Sequence, residues 1–191
     1  MNTQSAAEPI VEPELPIVDA HHHLWLRGDA SFAVLEREQI FFSQQMLTLY
    51  RRHARYLLDE FAKDLKTGHN VRATVYVEAH AMHRKGGPDI MKSVGEVEFA
   101  NGMAAMAASG LYGDTAVCAG IVGSVDLSMG DAAKDVLLAQ MQAGGSRYRG
   151  IRTSVLAYDD DPDMLSRRLG NRPHLIQDEK FRAGFKHLEP L

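Results

Sequence analysis

The chain has 191 residues, 45% of them hydrophobic and 24% charged, with a formal net charge of −4 and a pI near 6.1. That balance is ordinary for a globular domain. It gives no electrostatic case for nucleic acid or an anionic membrane surface, and no apolar run approaches the ~20 residues needed to cross a bilayer. A lone cysteine, Cys118, rules out an internal disulfide and makes a reducing cytoplasm the expected compartment.

Met1 to Glu14 is polar, with three acidic residues and two prolines, and lacks the basic start and apolar core of a signal peptide. Residues 1–15 are therefore expected to be a disordered lead. The first strand follows in Ile17-Val18-Asp19-Ala20-His21-His22-His23-Leu24-Trp25. Phe32 to Lys66 carries helical signals: Leu58, Phe61 and Leu65 recur on one side, and Gly68 sits where a helix would stop. Val71 to Glu78 alternates as a second strand, with Val71, Ala73, Val75 and Val77 on one face and Arg72, Thr74, Tyr76 and Glu78 on the other. Val94 to Ser109 is predicted helical through Phe99, Met103 and Met106. Ala116 to Val122 is a third strand, in which Cys118 reads as a small core side chain. Asp131 to Ala143 is a helix ended by Gly144-Gly145, Arg149 to Leu156 a fourth strand, and a broken helical pattern runs from Pro162 onward.

Strands alternating with helices predict a parallel sheet with right-handed crossovers. An open doubly wound sheet usually carries a glycine-rich first turn; here that turn holds histidines and Trp25. The pattern therefore favours a (β/α)₈ barrel, whose chemistry sits at the C-terminal ends of its strands. A full barrel takes about 250 residues. The expected fold is thus α/β, the N-terminal half of a (β/α)₈ barrel over residues 16–191, with four parallel strands and the C-terminal half absent.

The histidines carry the chemistry. Strand side chains alternate, so Asp19, His21 and His23 project to one side and His22 to the other. His21 and His23 stand roughly 6.5–7 Å apart at the backbone, and both Nε2 atoms can converge on one ion at about 2.0–2.1 Å, the zinc–imidazole distance. Three histidines closing an apolar strand are not a purification tag. A metal ion at a strand end acidifies a bound water, the starting point of a hydrolase.

Asp19-Ala20-His21-His22-His23-Leu24-Trp25 resembles the first-strand motif of the amidohydrolase-related family, metal-dependent hydrolases on a (β/α)₈ barrel. Val75-Tyr76-Val77-Glu78, Val94-Gly95-Glu96-Val97-Glu98-Phe99, Ala119-Gly120-Ile121-Val122-Gly123 and Arg149-Gly150-Ile151-Arg152 are similar to its sugar-lactonase and pyrone-dicarboxylate-lactonase branch. The resemblance implies that His21 and His23 are metal ligands for one divalent ion, zinc by type, although some lactonases of this branch work without a metal. It also implies that further histidine ligands and an aspartate general base lie beyond Leu191. The implied activity is the opening of a lactone or another cyclic ester. The same clan contains non-oxidative decarboxylases. A third reading is an inert fragment that needs its missing half and self-associates through unpaired strand edges.

Other residues carry weighted expectations. Asp19 is a candidate to orient His21 or His23. If Val71, Val75 and Val77 pack under helices, Glu78 points into the barrel and reaches its mouth, either as a site residue or as a partner of Arg152. Arg152 suits a grip on a carboxylate or lactone oxygen; its alternative is an ion pair with Glu78 or Asp19. Trp25 and Arg27 fall in the first loop, where an aromatic plane can stack on a sugar or plug the core. His80 and His83 read as surface or supporting histidines in a Gly-Pro-rich loop. His53, His69, His174, His187 and Ser154 show no partner in sequence. Asp159-Asp160-Asp161-Pro162-Asp163 reads as the acidic lead into a helix, not a calcium loop.

Overall fold

The computed structural model describes residues 9–37, 44–153 and 174–189. In chain order these form β1 (Ile17–His22), β2 (Trp25–Leu26), α1 (Asp29–Arg37), α2 (Gln44–Arg52), β3 (Arg55–Tyr56), α3 (Leu58–Leu65), β4 (Val71–Val77), α4 (Val94–Ala107), β5 (Ala116–Gly123), α5 (Ala133–Gly144), β6 (Tyr148–Ile151) and α6 (Glu179–Lys186). β1, β4, β5 and β6 form a four-stranded sheet in that order. Every pairing in it is parallel, with His22 opposite Tyr76, Tyr76 opposite Ile121 and Val122 opposite Gly150. The predicted alternation of parallel strands and helices is therefore present. Because the strands run the same way, the ends of β1, β4, β5 and β6 meet at one edge of the sheet, and the candidate site lies there.

The segment expected to be helical from Phe32 to Lys66 is interrupted. β2 and β3 pair antiparallel, Trp25 opposite Tyr56 and Leu26 opposite Arg55, and Arg27 N–H donates to Ala54 O at 2.7 Å. Cross-strand contact of the Trp25 and Tyr56 rings, with centres 5.5 Å apart and planes tilted by 36°, supports this short ladder. Within the expected lead, Asn70 Nδ2 donates to Glu14 O at 2.9 Å and so ties residues just before β1 to the turn before β4.

Burial reverses the orientation expected for β4. Thr74 and Tyr76 are buried, whereas Val71, Ala73 and Val75 are only half-buried; of the face expected to meet the helices, Val77 alone is buried. Tyr76 packs with Leu58 and Phe61 of α3 and with Val97 and Ala100 of α4. A phenol ring buries more apolar area than a valine and needs a partner for its hydroxyl. It finds one in Glu96 Oε1 at 2.8 Å, so its side takes the helix-covered position. β5 bulges at Cys118, which has φ of 51°, and both Val117 and Cys118 turn into the core.

A second apolar cluster joins Val136 and Leu137 of α5 to Leu127, Leu175 and Phe181. α6 is capped by Asp178, whose side chain accepts from Phe181 N–H at 2.9 Å. It lies so close to the 127–132 turn that a Cβ on Gly184 would stand 2.2 Å from Leu127 O. Only glycine permits that approach. The fourth strand ends at Ile151, short of the expected Leu156: Arg152 and Thr153 are already outside the ladder, and residues 154–156, with the helical pattern between Pro162 and residue 173, lie outside the described residues. Among the described residues no helix is long and apolar enough to cross a membrane.

Candidate active site

At the end of β1 the three histidines part company. His21 is exposed and His23 half-buried, and their Nε2 atoms are 3.1 Å apart, with the rings edge to face. The two imidazoles that sequence spacing placed on one side do converge. His23 Nδ1 donates to Val77 O at 2.7 Å. A carbonyl only accepts, so the Nδ1 of neutral His23 carries the proton and its Nε2 is left as the acceptor that faces His21 Nε2. Burial, with smaller contributions from the Arg152 and His21 charges, lowers the pKa of His23 despite that hydrogen bond. Asp19 Oδ1 accepts the main-chain N–H of His21 at 3.1 Å, so its contact is with the backbone that carries the ring.

His22 faces the other way. Its ring stacks on Phe61 with centres 4.3 Å apart and planes 11° from parallel. Tyr76 lies edge-on at 5.8 Å and Cys118 Sγ is 3.7 Å from Nε2. Burial pushes the His22 pKa down to about 4 and the Cys118 thiol up to about 12. This pair is an uncharged piece of core.

Glu78 and Arg152 meet across the sheet. Arg152 Nε donates to Glu78 Oε1 at 2.7 Å, and Nη2 reaches the main-chain oxygen of the same residue at 2.7 Å. Glu78 is fully buried, and its other oxygen, Oε2, accepts from His80 N–H at 3.2 Å. Arg152 Nη1 is left facing His21 Nε2 at 3.4 Å. The main chain sets this up, since Arg152 N–H donates to Gly123 O at 2.8 Å as β6 ends.

Trp25 and Arg27 form the adjoining wall. Trp25 Nε1 donates to His53 O at 2.7 Å, and its ring lies between Tyr50 and Tyr56. The Arg27 guanidinium carbon is 5.4 Å from the centre of Tyr50 and 5.8 Å from that of Trp25. Its Nη2 donates to Ala79 O at 2.9 Å, while its buried Nε has no partner among the described residues. Desolvation lowers the pKa of Arg27.

Sequence reasoning gave no role to Glu96, in the first turn of α4. It is buried, and its Oε1 accepts from Tyr76 OH at 2.8 Å, Ala79 N–H at 2.6 Å and Ala81 N–H at 3.2 Å. Its Oε2 is 3.4 Å from His83 Nε2. Burial works against its charge, but His83 and these donors outweigh it and hold the carboxyl below its usual value. The available signal was weak: Val94 to Phe99 alternates apolar residues with two glutamates, Glu96 and Glu98, of which only Glu96 is buried. His80 and His83 are both exposed and attend these acids from outside, His80 Nδ1 lying 3.5 Å from Glu78 Oε2.

Two imidazole nitrogens bound to one tetrahedral zinc at 2.0–2.1 Å stand about 3.3–3.4 Å apart. The His21–His23 separation of 3.1 Å is close to that, and the His23 tautomer is the ligating one. Among the described residues no third histidine, cysteine, aspartate or glutamate joins them in a group able to hold a metal ion. The two ring nitrogens therefore have the spacing of two zinc positions, with Arg152 Nη1 also 3.4 Å from His21 Nε2. The Asp159–Asp163 run and Ser154 lie outside the described residues. Elsewhere, His187 Nε2 is 2.9 Å from Asp131 Oδ1, and His69 lines a cavity with Asp19 and Asp64 at the opposite end of β1. Comparison with family models, curated proteins and solved structures finds no match to this chain.

Proposed function

We propose that this chain carries the metal-binding end of a metal-dependent hydrolase of the amidohydrolase type. In this reading its sheet is the N-terminal half of a (β/α)₈ barrel, and it opens a lactone or another cyclic ester in a reducing cytoplasm. The observation that carries the reading is the convergence of His21 and His23, whose Nε2 atoms are 3.1 Å apart at the end of the first strand. The likeness of residues 19–25 to the family's first-strand motif supports it.

A divalent ion held there, zinc by ligand type, supplies carbonyl polarisation and a water acidified from a pKa of about 15.7 towards 7. His23 is kept in its ligating tautomer by Val77 O, and Asp19 steadies the backbone under His21. Arg152 has Nε and Nη2 occupied by Glu78 and offers Nη1 to a substrate oxygen on the His21 side. Trp25, on β2 and not in the expected loop, and Arg27 just after it border the substrate. The remaining ligands and the proton acceptor come from outside the described residues.

Elemental analysis of the purified protein and of a His21→Ala variant tests the ligands. The expected result is zinc in the first and none in the second; equal metal in both removes the assignment. Proton release on adding a sugar lactone tests the reaction. Carbon dioxide release from an aromatic acid, with no lactone opening, would assign the chain to the decarboxylases instead.

A further inference from the structure

We infer that Glu96 is a positioning residue for the candidate site, its buried carboxylate setting the peptide groups that hold Arg152 and Arg27 in place. This rests on the hydrolase reading for its consequence, though not for its geometry. The peptide bond joining Glu78 to Ala79 is a rigid plane, so fixing its N–H fixes its C=O. Ala79 N–H donates to Glu96 Oε1 at 2.6 Å, while the carbonyl of the same plane, Glu78 O, accepts from Arg152 Nη2 at 2.7 Å. The next carbonyl, Ala79 O, accepts from Arg27 Nη2 at 2.9 Å. One carboxylate on α4 thus aims Glu78 O at Arg152 directly; the plane that carries Ala79 O lies between the two whose N–H groups Glu96 holds, and its own N–H, on His80, donates to Glu78 Oε2 at 3.2 Å.

The loop needs this hold. His80 and Met82 adopt left-handed backbone, with φ of 50° and 56°, which persists in non-glycine residues only where the surroundings overdetermine it. Ala81 N–H on Glu96 Oε1, between those two residues, supplies one such restraint. Gly95 supplies another by its lack of a side chain: a Cβ there would stand 2.8 Å from both Arg84 N and Met82 O. The loop therefore lies directly against the first turn of α4. Glu96 ties it from below and His83 closes over Oε2 from the solvent side at 3.4 Å.

Glu96→Ala, Glu96→Gln and Gly95→Ala variants of the whole chain test the inference. In Glu96→Ala, hydrogen exchange at Ala79 and Ala81 should quicken by at least about tenfold as the local opening cost falls. Phenylglyoxal should then modify Arg27 faster, while zinc content stays at the wild-type level because His21 and His23 are untouched. KM for the sugar lactone should rise about tenfold with a smaller change in kcat, the signature of misplaced binding groups. Glu96→Gln keeps the accepting oxygen and should restore both protection and KM. Gly95→Ala pushes the loop off with Glu96 intact and should reproduce the Glu96→Ala phenotype, which covers the case of an alanine variant that does not fold. Unchanged exchange and Arg27 reactivity in Glu96→Ala, or a Gln variant no better than Ala, would overturn the inference. A wild-type chain that neither retains zinc nor opens a lactone would remove the hydrolase reading and leave exchange and Arg27 reactivity to decide on Glu96.

Discussion

Three consecutive imidazoles at the end of β1 meet two different environments. His22 lies against Phe61, Tyr76 and Cys118, where burial pushes its pKa down to about 4 and packing is its role. His21 and His23, one position to either side, bring their ring nitrogens to 3.1 Å from each other beside the Arg152–Glu78 pair. The residue type is the same; what differs is whether the strand face meets helices or the open end of the sheet. A histidine's chemistry is set by the face it occupies more than by its neighbours in sequence.

That contrast breaks most sharply at His21. His21→Ala should abolish zinc retention and lower lactone opening by well over the 10–100-fold typical of losing an outer partner of a metal site. Stability should change by no more than about 0.5 kcal/mol, as expected for an exposed position; elemental analysis and urea unfolding check both. Arg152→Met should cost about 3 kcal/mol in unfolding free energy, because it strands the fully buried Glu78 carboxylate without its cation.

His22→Ala should show the reverse pattern of His21→Ala, with zinc content kept and stability lowered by about 2 kcal/mol through lost packing. The wild type should also carry a pH signature of His22. Below its ordinary value of 6.5 the unfolded chain binds a proton that the folded chain, with this pKa at about 4, refuses. Stability is therefore complete above 6.5 and is lost as pH falls towards 4, by up to about 3 kcal/mol. Urea unfolding across that window should show the slope, and a His22→Phe variant should flatten it. The smallest effect belongs to Asp19→Asn, which leaves an acceptor for His21 N–H. It should shift stability by less than about 1 kcal/mol and zinc affinity by less than about tenfold.

Much of the site was legible in the chain because its signals are local. His21 and His23 share a side through the two-residue period of a strand, and His22 opposes them for the same reason. Glu78 and Arg152 stood out as charges at strand ends, and pairing with each other was one of the two roles weighed for Arg152. Glu96 was not found, since a glutamate in a helix is usually solvated and only the loop laid over it makes it an anchor. The β2–β3 ladder was also hidden, because two-residue strands show no period and the partners are 31 apart at Trp25 and Tyr56.

The sequence by itself determined the alternation of strands and helices and the common side of two histidines. Both follow from periods of 2 and 3.6 written into adjacent residues. Tertiary structure alone decided which face of β4 the helices cover, because that depends on the total area and the hydroxyl partner found by Tyr76. It likewise decided that Arg152 spends two nitrogens on Glu78 and turns the third to His21. Such choices rest on burial and charge pairing between residues far apart in the chain, and no local period encodes them.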